Sequence, residues 1–474
     1  MRHTRSQTKV IATIGPASSS KEVLEKLFHE GVDVCRLNFS HGTHADHLQV
    51  IKNILELNKE LKTNVALLAD LQGPKIRIGD VENNKVDLVE GAEVNFVTEK
   101  CIGTAERLYI SYQEFPGDVK VGDFILVDDG KLKLQVISTN RKDKVTAKVI
   151  YGGVLSSKKG VNLPNTKVSI PSLTEKDIED AIFALDNGVD WIALSFVRSA
   201  GDLIALKDLI KQRKKNASII AKIEKPEALS DIDNIIDMSN GIMVARGDLG
   251  VEVPFDQVPL IQKDLVARCI AKAKPVIIAT QMLESMIISF RPTRAEANDV
   301  ANAVFDGADA LMLSAETSAG KYPVESVNAM QRIIDWSEKG FHNNRETLPV
   351  PNTRTFLPDS ICLNSCRLAS QTAAKAIVTF TNSGYTAYKI SSFRPQASIF
   401  AFSRNPALLR KLSLVWGVRA FYFENHENID DAITHSIEVL KDESYIKDND
   451  VVVHSGSTPF EERGQTNMIK VSYV

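Results

Sequence analysis

The sequence predicts an α/β architecture: a (β/α)8 barrel, interrupted after its third strand by a small all-β domain and followed by an open α/β domain. Three observations carry this. From the N-terminus to about residue 313, eight apolar runs of strand length recur, separated by segments with helical periodicity. The stretch 71–170 breaks that rhythm with short β-rich pieces and dense turn signals. Beyond a proline-punctuated stretch near 348–358, strand–helix alternation starts again.

The barrel runs are Val10–Ile14, Val32–Phe39, Val65–Leu71, Trp191–Phe196, Ser218–Ile223, Gly241–Val244, Val276–Thr280 and Ala310–Leu313. Among the helical segments between them, Lys21–His29 places Val23, Leu24, Leu27 and Phe28 on one stripe. His47–Leu61 is a second. Leu173–Asp186 is a third, opened by Thr174 with Asp177 three residues on, close to a capping box. Such units place an active site at the carboxyl ends of the strands. In the interruption, Lys85–Leu88, Glu93–Thr98, Phe124–Val127, Lys131–Ile137 and Lys144–Val149 read as strands. Its return through Gly160 and Pro164 to Pro171 has the punctuation of a hinge, so this piece is expected to be a lid. Leu348-Pro-Val-Pro351 and Leu357-Pro358 read as a linker. The strands Ala376–Phe380, Ser398–Ala401, Arg419–Tyr422, Val451–His454 and Ile469–Tyr473 follow, with helices between the first four. The expected domains are therefore 1–70 with 171–345, 71–170, and 346–474.

Composition narrows the function. Apolar residues at 43% and charged residues at 25% of 474 describe a globular protein of two or three domains. No apolar stretch approaches the roughly 18 residues needed to span a bilayer, and the polar start is no secretory signal. A net charge of −3 argues against a nucleic-acid partner. The five cysteines lack a C-x-x-C spacing, which points to reduced thiols in a cytoplasmic protein. Cys362 and Cys366 lie one helical turn apart, the spacing of a packed helix face.

The strand ends carry the chemistry. In Ala221-Lys-Ile-Glu224, alternation along a strand puts Lys222 and Glu224 on the same face. The next strand ends in Arg246-Gly-Asp248. Two carboxylates on neighbouring strands with an ammonium beside one make a site for a hard cation plus an anionic oxygen. The second strand ends Arg36-Leu-Asn38-Phe-Ser40-His41, and the third Asp70-Leu-Gln-Gly-Pro-Lys75-Ile-Arg77. The seventh contributes Thr280 and the eighth Ser314 and Glu316. Cations facing two carboxylates fit a phosphorylated substrate held through a bridging metal, and phosphoryl transfer needs mostly positioning and neutralisation. In the last domain, Thr381-Asn-Ser383-Gly384-Tyr-Thr386 closes a strand and opens a helix. Hydroxyls, a glycine and free amides there would cradle a phosphate.

Eight segments, in order, resemble the pyruvate kinase family along almost the whole chain. They are Thr13-Ile-Gly-Pro16, Arg36 to Gly42, Gly160-Val-Asn-Leu-Pro164, Ala221 to Glu224, Ala245 to Gly250, Ala279 to Leu283, Pro292-Thr-Arg-Ala295 and Ser314-Ala-Glu316. The resemblance implies transfer of a phosphoryl group from phosphoenolpyruvate to ADP, giving pyruvate and ATP. On matching positions, Glu224 and Asp248 would hold Mg²⁺ or Mn²⁺, Lys222 would neutralise the transferring phosphoryl group and the enolate, and Arg36 would contact the phosphoryl group. Arg77 and Lys159 would hold nucleotide phosphates, with Asn38 and His41 in the same pocket. Amides at Gly247 and Asp248 would receive the substrate carboxylate. Thr280 would relay a proton to the enolate carbon, with Ser314 and Glu316 behind it. The resemblance further implies a homotetramer and a phosphorylated small-molecule effector at Thr381, Ser383, Gly384 and Thr386. A second reading, a Mg²⁺-dependent aldolase-type lyase acting on pyruvate enolate, would leave Arg77, Lys159 and the lid without a purpose. A third, a catalytically idle regulatory or structural protein, is opposed by the intact Lys222, Glu224, Asp248 and Thr280.

One departure stands beside the site. Many family members bind K⁺ at residues matching Asn38, Ser40, Asp70 and the position of Leu71. They carry glutamate where this chain has Lys75, and usually threonine at Leu71. A lysine brings its own ammonium, so K⁺ is not expected to be required.

Overall fold

The computed structural model describes residues 6–164, 166–340, 347–424, 428–458 and 465–474. Eight parallel strands close into a barrel: Lys9–Ile14, Val34–Asn38, Ala66–Asp70, Trp191–Leu194, Ser218–Ile223, Gly241–Ala245, Val276–Ala279 and Ala310–Leu313. Each pairs with the next and the last with the first. Their apolar side chains are almost all fully buried, each contributing about 1.5–3 kcal/mol relative to exposure.

Four expected strands end early, the second at Asn38 and the third at Asp70 by one residue each, and the fourth and seventh for a reason that matters at the site. The fourth stops at Leu194 because Phe196 takes a left-handed φ of 55° and turns its N–H to the Glu224 carboxylate. The seventh stops at Ala279 because Thr280, with φ 70°, and Gln281, with φ 54°, also enter the left-handed region. A β-branched residue there is strained, on the order of 1–3 kcal/mol.

The helices shift at their ends by cap chemistry. His44–Glu60 begins three residues before the expected start because Thr43 and Asp46 form a capping box. In the helix Glu175–Asp186, Thr174 is the cap itself and Leu173 lies outside. Leu357 and Pro358, expected in a linker, fall in the first turn of the helix Phe356–Gln371. A proline is tolerated there because first-turn N–H groups have no intrahelical acceptor. Cys362 and Cys366 are buried on this helix.

The inserted domain holds its own core, from Ile76 to Val168. A six-stranded sheet and a two-stranded one form it. Three of its strands escaped the sequence reading: Arg107–Tyr109, Gly153–Ser156 and Val161–Asn162. Arg107–Tyr109 and Val161–Asn162 are too short to show a period of two, and Gly153–Ser156 opens on the Gly152-Gly153 pair, which reads as a turn. The two chain crossings to the barrel are tied by a bridge between Arg77 and Gly160.

The last domain is a five-stranded sheet whose first four strands are parallel and whose edge strand, Met468–Tyr473, is antiparallel. It docks on the barrel end opposite the site. There Asp33, Asp190 and Asp309, each just before a barrel strand, accept the N–H groups of Val10, Leu67 and Val276 on a neighbouring strand. Arg410 pairs with Asp190 at 3.0 Å and Arg394 with Asp309 at 3.0 Å, both reaching across from the last domain. Leu414 of that domain joins the cluster inside the barrel with Ile11, Val34 and Trp191. The carboxyl-end face is thereby left to the lid.

Candidate active site

The strand ends converge on one buried carboxylate. Asp70 closes the third strand and lies between two cations. Arg36 Nε donates to its Oδ2 at 2.7 Å, and Lys222 Nζ stands 3.2 Å from its Oδ1. Arg36 also donates to Thr13 Oγ1 at 2.9 Å. Lys222 reaches Glu224 Oε1 at 2.9 Å and Ser195 Oγ at 2.7 Å. Burial alone would favour a neutral lysine amine, but Asp70 and Glu224 outweigh it and raise the Lys222 pKa above its ordinary value. Burial likewise disfavours an Asp70 anion, yet Lys222 and Arg36 hold its carboxyl below the usual range. Glu224 is only 1% exposed and is pushed up by burial; Lys222 restrains it while the Asp248 charge adds to the rise.

A second group sits on the strained loop after the seventh strand. Thr280 Oγ1 donates to Ala279 O at 2.6 Å and accepts from Gly247 N–H at 2.7 Å. Arg246 braces the loop, donating to Thr280 O at 2.8 Å and pairing with Asp299 at 2.8 Å. Glu316 accepts from the N–H groups of Leu283 at 3.1 Å and Ser314 at 2.7 Å. Its contacts are to backbone, so Glu316 holds the segments after the seventh and eighth strands in place, and the expected partnership with Thr280 gains no contact. The expected opening of the Gly247 amide toward a substrate is also modified, since Thr280 already occupies it.

The donor set fits a hard divalent cation. Glu224 and Asp248 offer carboxylate oxygens, Asp248 is 31% exposed, and the mutual charge that raises Glu224 is what a cation between them would relieve. Lys75 Nζ lies 3.9 Å from Asp248 Oδ1, so the lysine, with its side chain partly exposed, is turned toward that carboxylate. Lys75, Arg246, Gly247, Asp248 and Gln281 line an open cavity of about 640 Å³.

The other expected residues are placed less tightly. Asn38 Oδ1 accepts from Ser40 N–H at 3.1 Å, on the rim beside Asp70. His41 is exposed, and its carbonyl accepts from His47. Leu71 packs its side chain in the barrel core and gives its carbonyl to the Ser195 hydroxyl at 2.7 Å. Arg77 donates to Lys158 O at 3.1 Å, and Lys159 pairs with Asp128 at 2.8 Å. Both therefore belong to the lid base, and no contact among the described residues joins them to the Asp70 cluster. Far from this face, Thr381 Oγ1 accepts from Gly384 N–H at 2.9 Å, and Thr386 bonds Thr466 at 2.6 Å. Gly384 needs its φ of 87°, where a Cβ would also meet Leu408 at 2.9 Å. Ser383 is exposed beside them.

Sequence reading passed over Ser195. The end of the fourth strand drew no attention, although a hydroxyl directly after Ile192-Ala-Leu194 was a visible signal. It also missed the bracing roles of Thr13, Arg246 and Asp299, which depend on strand order.

Comparison with known proteins agrees with this geometry. Residues 5–327 match the family model for the pyruvate kinase barrel domain, and residues 359–472 match that for the pyruvate kinase alpha/beta domain. The chain is 43% identical over 472 residues to a pyruvate kinase of Bacillus licheniformis, covering 99% of this chain and 80% of that one. It is 42% identical over 471 residues to that of Geobacillus stearothermophilus, with the same coverage. A crystal structure of a pyruvate kinase from Cryptosporidium parvum superposes with a TM-score of 0.92 at 35% identity, covering 99% of this chain and 96% of the other. With both family models matched in order and the barrel, lid and last domain in place, the chain belongs to the pyruvate kinase family of phosphotransferases.

Proposed function

We propose that the chain transfers the phosphoryl group of phosphoenolpyruvate to ADP, giving pyruvate and ATP, with the Arg36–Asp70–Lys222–Glu224 cluster as its centre. The observation that carries this is a charged lysine held between two carboxylates at the strand ends. As the bond from phosphorus to the enol oxygen breaks and the bond to an ADP oxygen forms, charge develops on the transferring group and on the enolate. Lys222 faces that charge without reorganisation, and Arg36 contacts the phosphoryl oxygens. The Asp248 amide receives the substrate carboxylate, joined by the Gly247 amide once Thr280 Oγ1 releases it, and Thr280 then relays a proton to the enolate carbon. Arg77 and Lys159 approach the nucleotide phosphates from the lid, with Asn38 and His41 on the rim. Mg²⁺ or Mn²⁺ held by Glu224 and Asp248 would supply a Lewis acid shared by both substrates. The aldolase-type lyase finds no support, since the relatives are pyruvate kinases.

Three further assignments are proposals of the same kind. A cytoplasmic setting is supported by five free cysteines; no helix among the described residues is long and apolar enough to cross a membrane. A homotetramer is supported by the exposed apolar side chains Phe255, Leu260, Ile288 and Phe290. A phosphorylated effector at Thr381, Ser383, Gly384 and Thr386 is supported by the start of the helix Tyr385–Ser392 there. The Thr379 and Ser455 hydroxyls, on paired positions of adjacent strands nearby, are buried without a partner among the described residues.

K⁺ independence is supported by charge already in place. Both oxygens of Asp70 face cations, Leu71 offers no side-chain oxygen, and Lys75 lies by Asp248. Family members usually use K⁺, and Lys75 is where this chain departs from them.

A coupled assay for ATP from phosphoenolpyruvate and ADP with Mg²⁺ tests the reaction. Lys222→Met is expected to fold and to lose on the order of 10³-fold or more in kcat, because a transition-state cation is removed; an effect on KM alone would contradict its role. Glu224→Ala and Asp248→Ala are each expected to abolish Mg²⁺-dependent turnover, and retention of most activity would refute the metal assignment. Rates should be nearly equal in K⁺ and in an inert organic cation at matched ionic strength. Lys75→Glu with Leu71→Thr should create K⁺ dependence, and a wild-type protein silent without K⁺ would overturn that part. For the effector loop, Thr381→Ala with Ser383→Ala should remove activation by a sugar phosphate or nucleotide monophosphate. Unchanged responses to every such compound would end the assignment.

A further inference from the structure

Beside the metal carboxylates lies a buried ion pair that the mechanism does not use. Glu252 ends the short helix Arg246–Glu252, which carries Gly247 and Asp248, and its side chain is 1% exposed. Its Oε1 accepts from Lys225 Nζ at 2.6 Å and from Asn162 Nδ2 at 2.8 Å. Lys225 directly follows Glu224. Asn162 lies in the lid strand Val161–Asn162, two residues from the bridge that ties the chain crossings. One carboxylate oxygen thus joins the segment of one metal carboxylate, the helix of the other, and the lid. Glu252 Oε2 is buried and has no partner among the described residues.

We propose that Glu252 is a positioning residue that latches the docked lid, through Asn162, onto the frame holding Glu224 and Asp248. A buried carboxylate one donor short of saturation is costly, and losing another donor costs more than the bond is worth in isolation. When the lid swings out, Asn162 leaves and Glu252 keeps only Lys225. The docked position is favoured by that difference, and the lid comes to rest at a height set by the helix bearing Asp248. The lid also runs close to the same helix at Gly130, where a Cβ, if present, would stand 3.6 Å from Val251 Cγ1, one residue before Glu252. Lid and metal site therefore settle together. The inference rests on the reading that the lid brings Arg77 and Lys159 to the nucleotide, whereas phosphoenolpyruvate is held on the barrel.

Asn162→Asp tests it by placing a second carboxylate against Glu252. The expected result is a KM for ADP raised about tenfold, with the KM for phosphoenolpyruvate within about twofold. Spin labels on exposed Val121 of the lid and Lys211 of the barrel, with Cys101→Ser in both proteins, should report a longer and broader distance. Adding Glu252→Gln restores a donor–acceptor pair in reversed sense and should reverse both changes, a rescue that general destabilisation would not produce. An unchanged ADP KM and distance in Asn162→Asp, or a double variant no better than Asn162→Asp, overturns the latch. Loss of phosphoenolpyruvate-dependent ATP formation in the wild-type protein would instead count against the proposed reaction.

Discussion

A buried carboxylate with a cation on each oxygen is the constraint around which this face of the barrel is built. Desolvating Asp70 costs several kcal/mol, and only Arg36 and Lys222 in tight geometry repay it. That obligation fixes both cations where a phosphorylated substrate needs them. It also explains why Lys222 must stay charged, since a neutral amine would leave Arg36, on the Asp70 side, as the one cation in this cluster against the two carboxylates Asp70 and Glu224. Removing either partner from such a group costs about 3–5 kcal/mol, so the site is stiff before any substrate arrives.

The stiffness spreads through backbone that departs from strand geometry. Phe196 and Thr280 sit in left-handed conformations, one aiming an amide at Glu224, the other aiming a hydroxyl at Gly247. Arg246 and Glu316 hold the strained loop by its carbonyls and amides. At the opposite end, Asp190 and Asp309 do comparable work for the last domain, each serving a strand N–H and an arginine at once.

Much of this was legible in the sequence because the barrel repeats a simple rule. Apolar runs mark strands, and the polar residues at or just past their carboxyl ends mark the site; Lys222, Glu224, Asp248 and Arg36 were picked out that way, whereas Asp70 was given only the role of a K⁺ position and its place between two cations was not foreseen. The strand ends at Phe196 and Thr280 were misjudged because a left-handed φ leaves no trace in an apolar run. Ser195 was missed although it obeyed the rule. Glu316, expected behind Thr280, turns out to hold backbone N–H groups with its oxygens, because spacing shows proximity and not the atom touched. The latch at Glu252 joins residues 90 apart in sequence and could not be seen before the lid was placed.

The measurement that bears most directly on this account is the pH dependence of kcat in Asp70→Asn. Asp70 is foremost among the charges that raise Lys222, and burial pulls the other way. In the wild-type protein the ammonium should survive to the alkaline limit of stability, with no basic limb assignable to Lys222. In Asp70→Asn, burial is opposed mainly by Glu224 alone. Lys222 should then lose its proton at lower pH than in the wild-type protein, and a basic limb in kcat should appear, because the neutral amine cannot stabilise the enolate. A folded Asp70→Asn protein with the same alkaline profile as wild type would show that Asp70 does not hold the lysine's charge, and the central claim would fall.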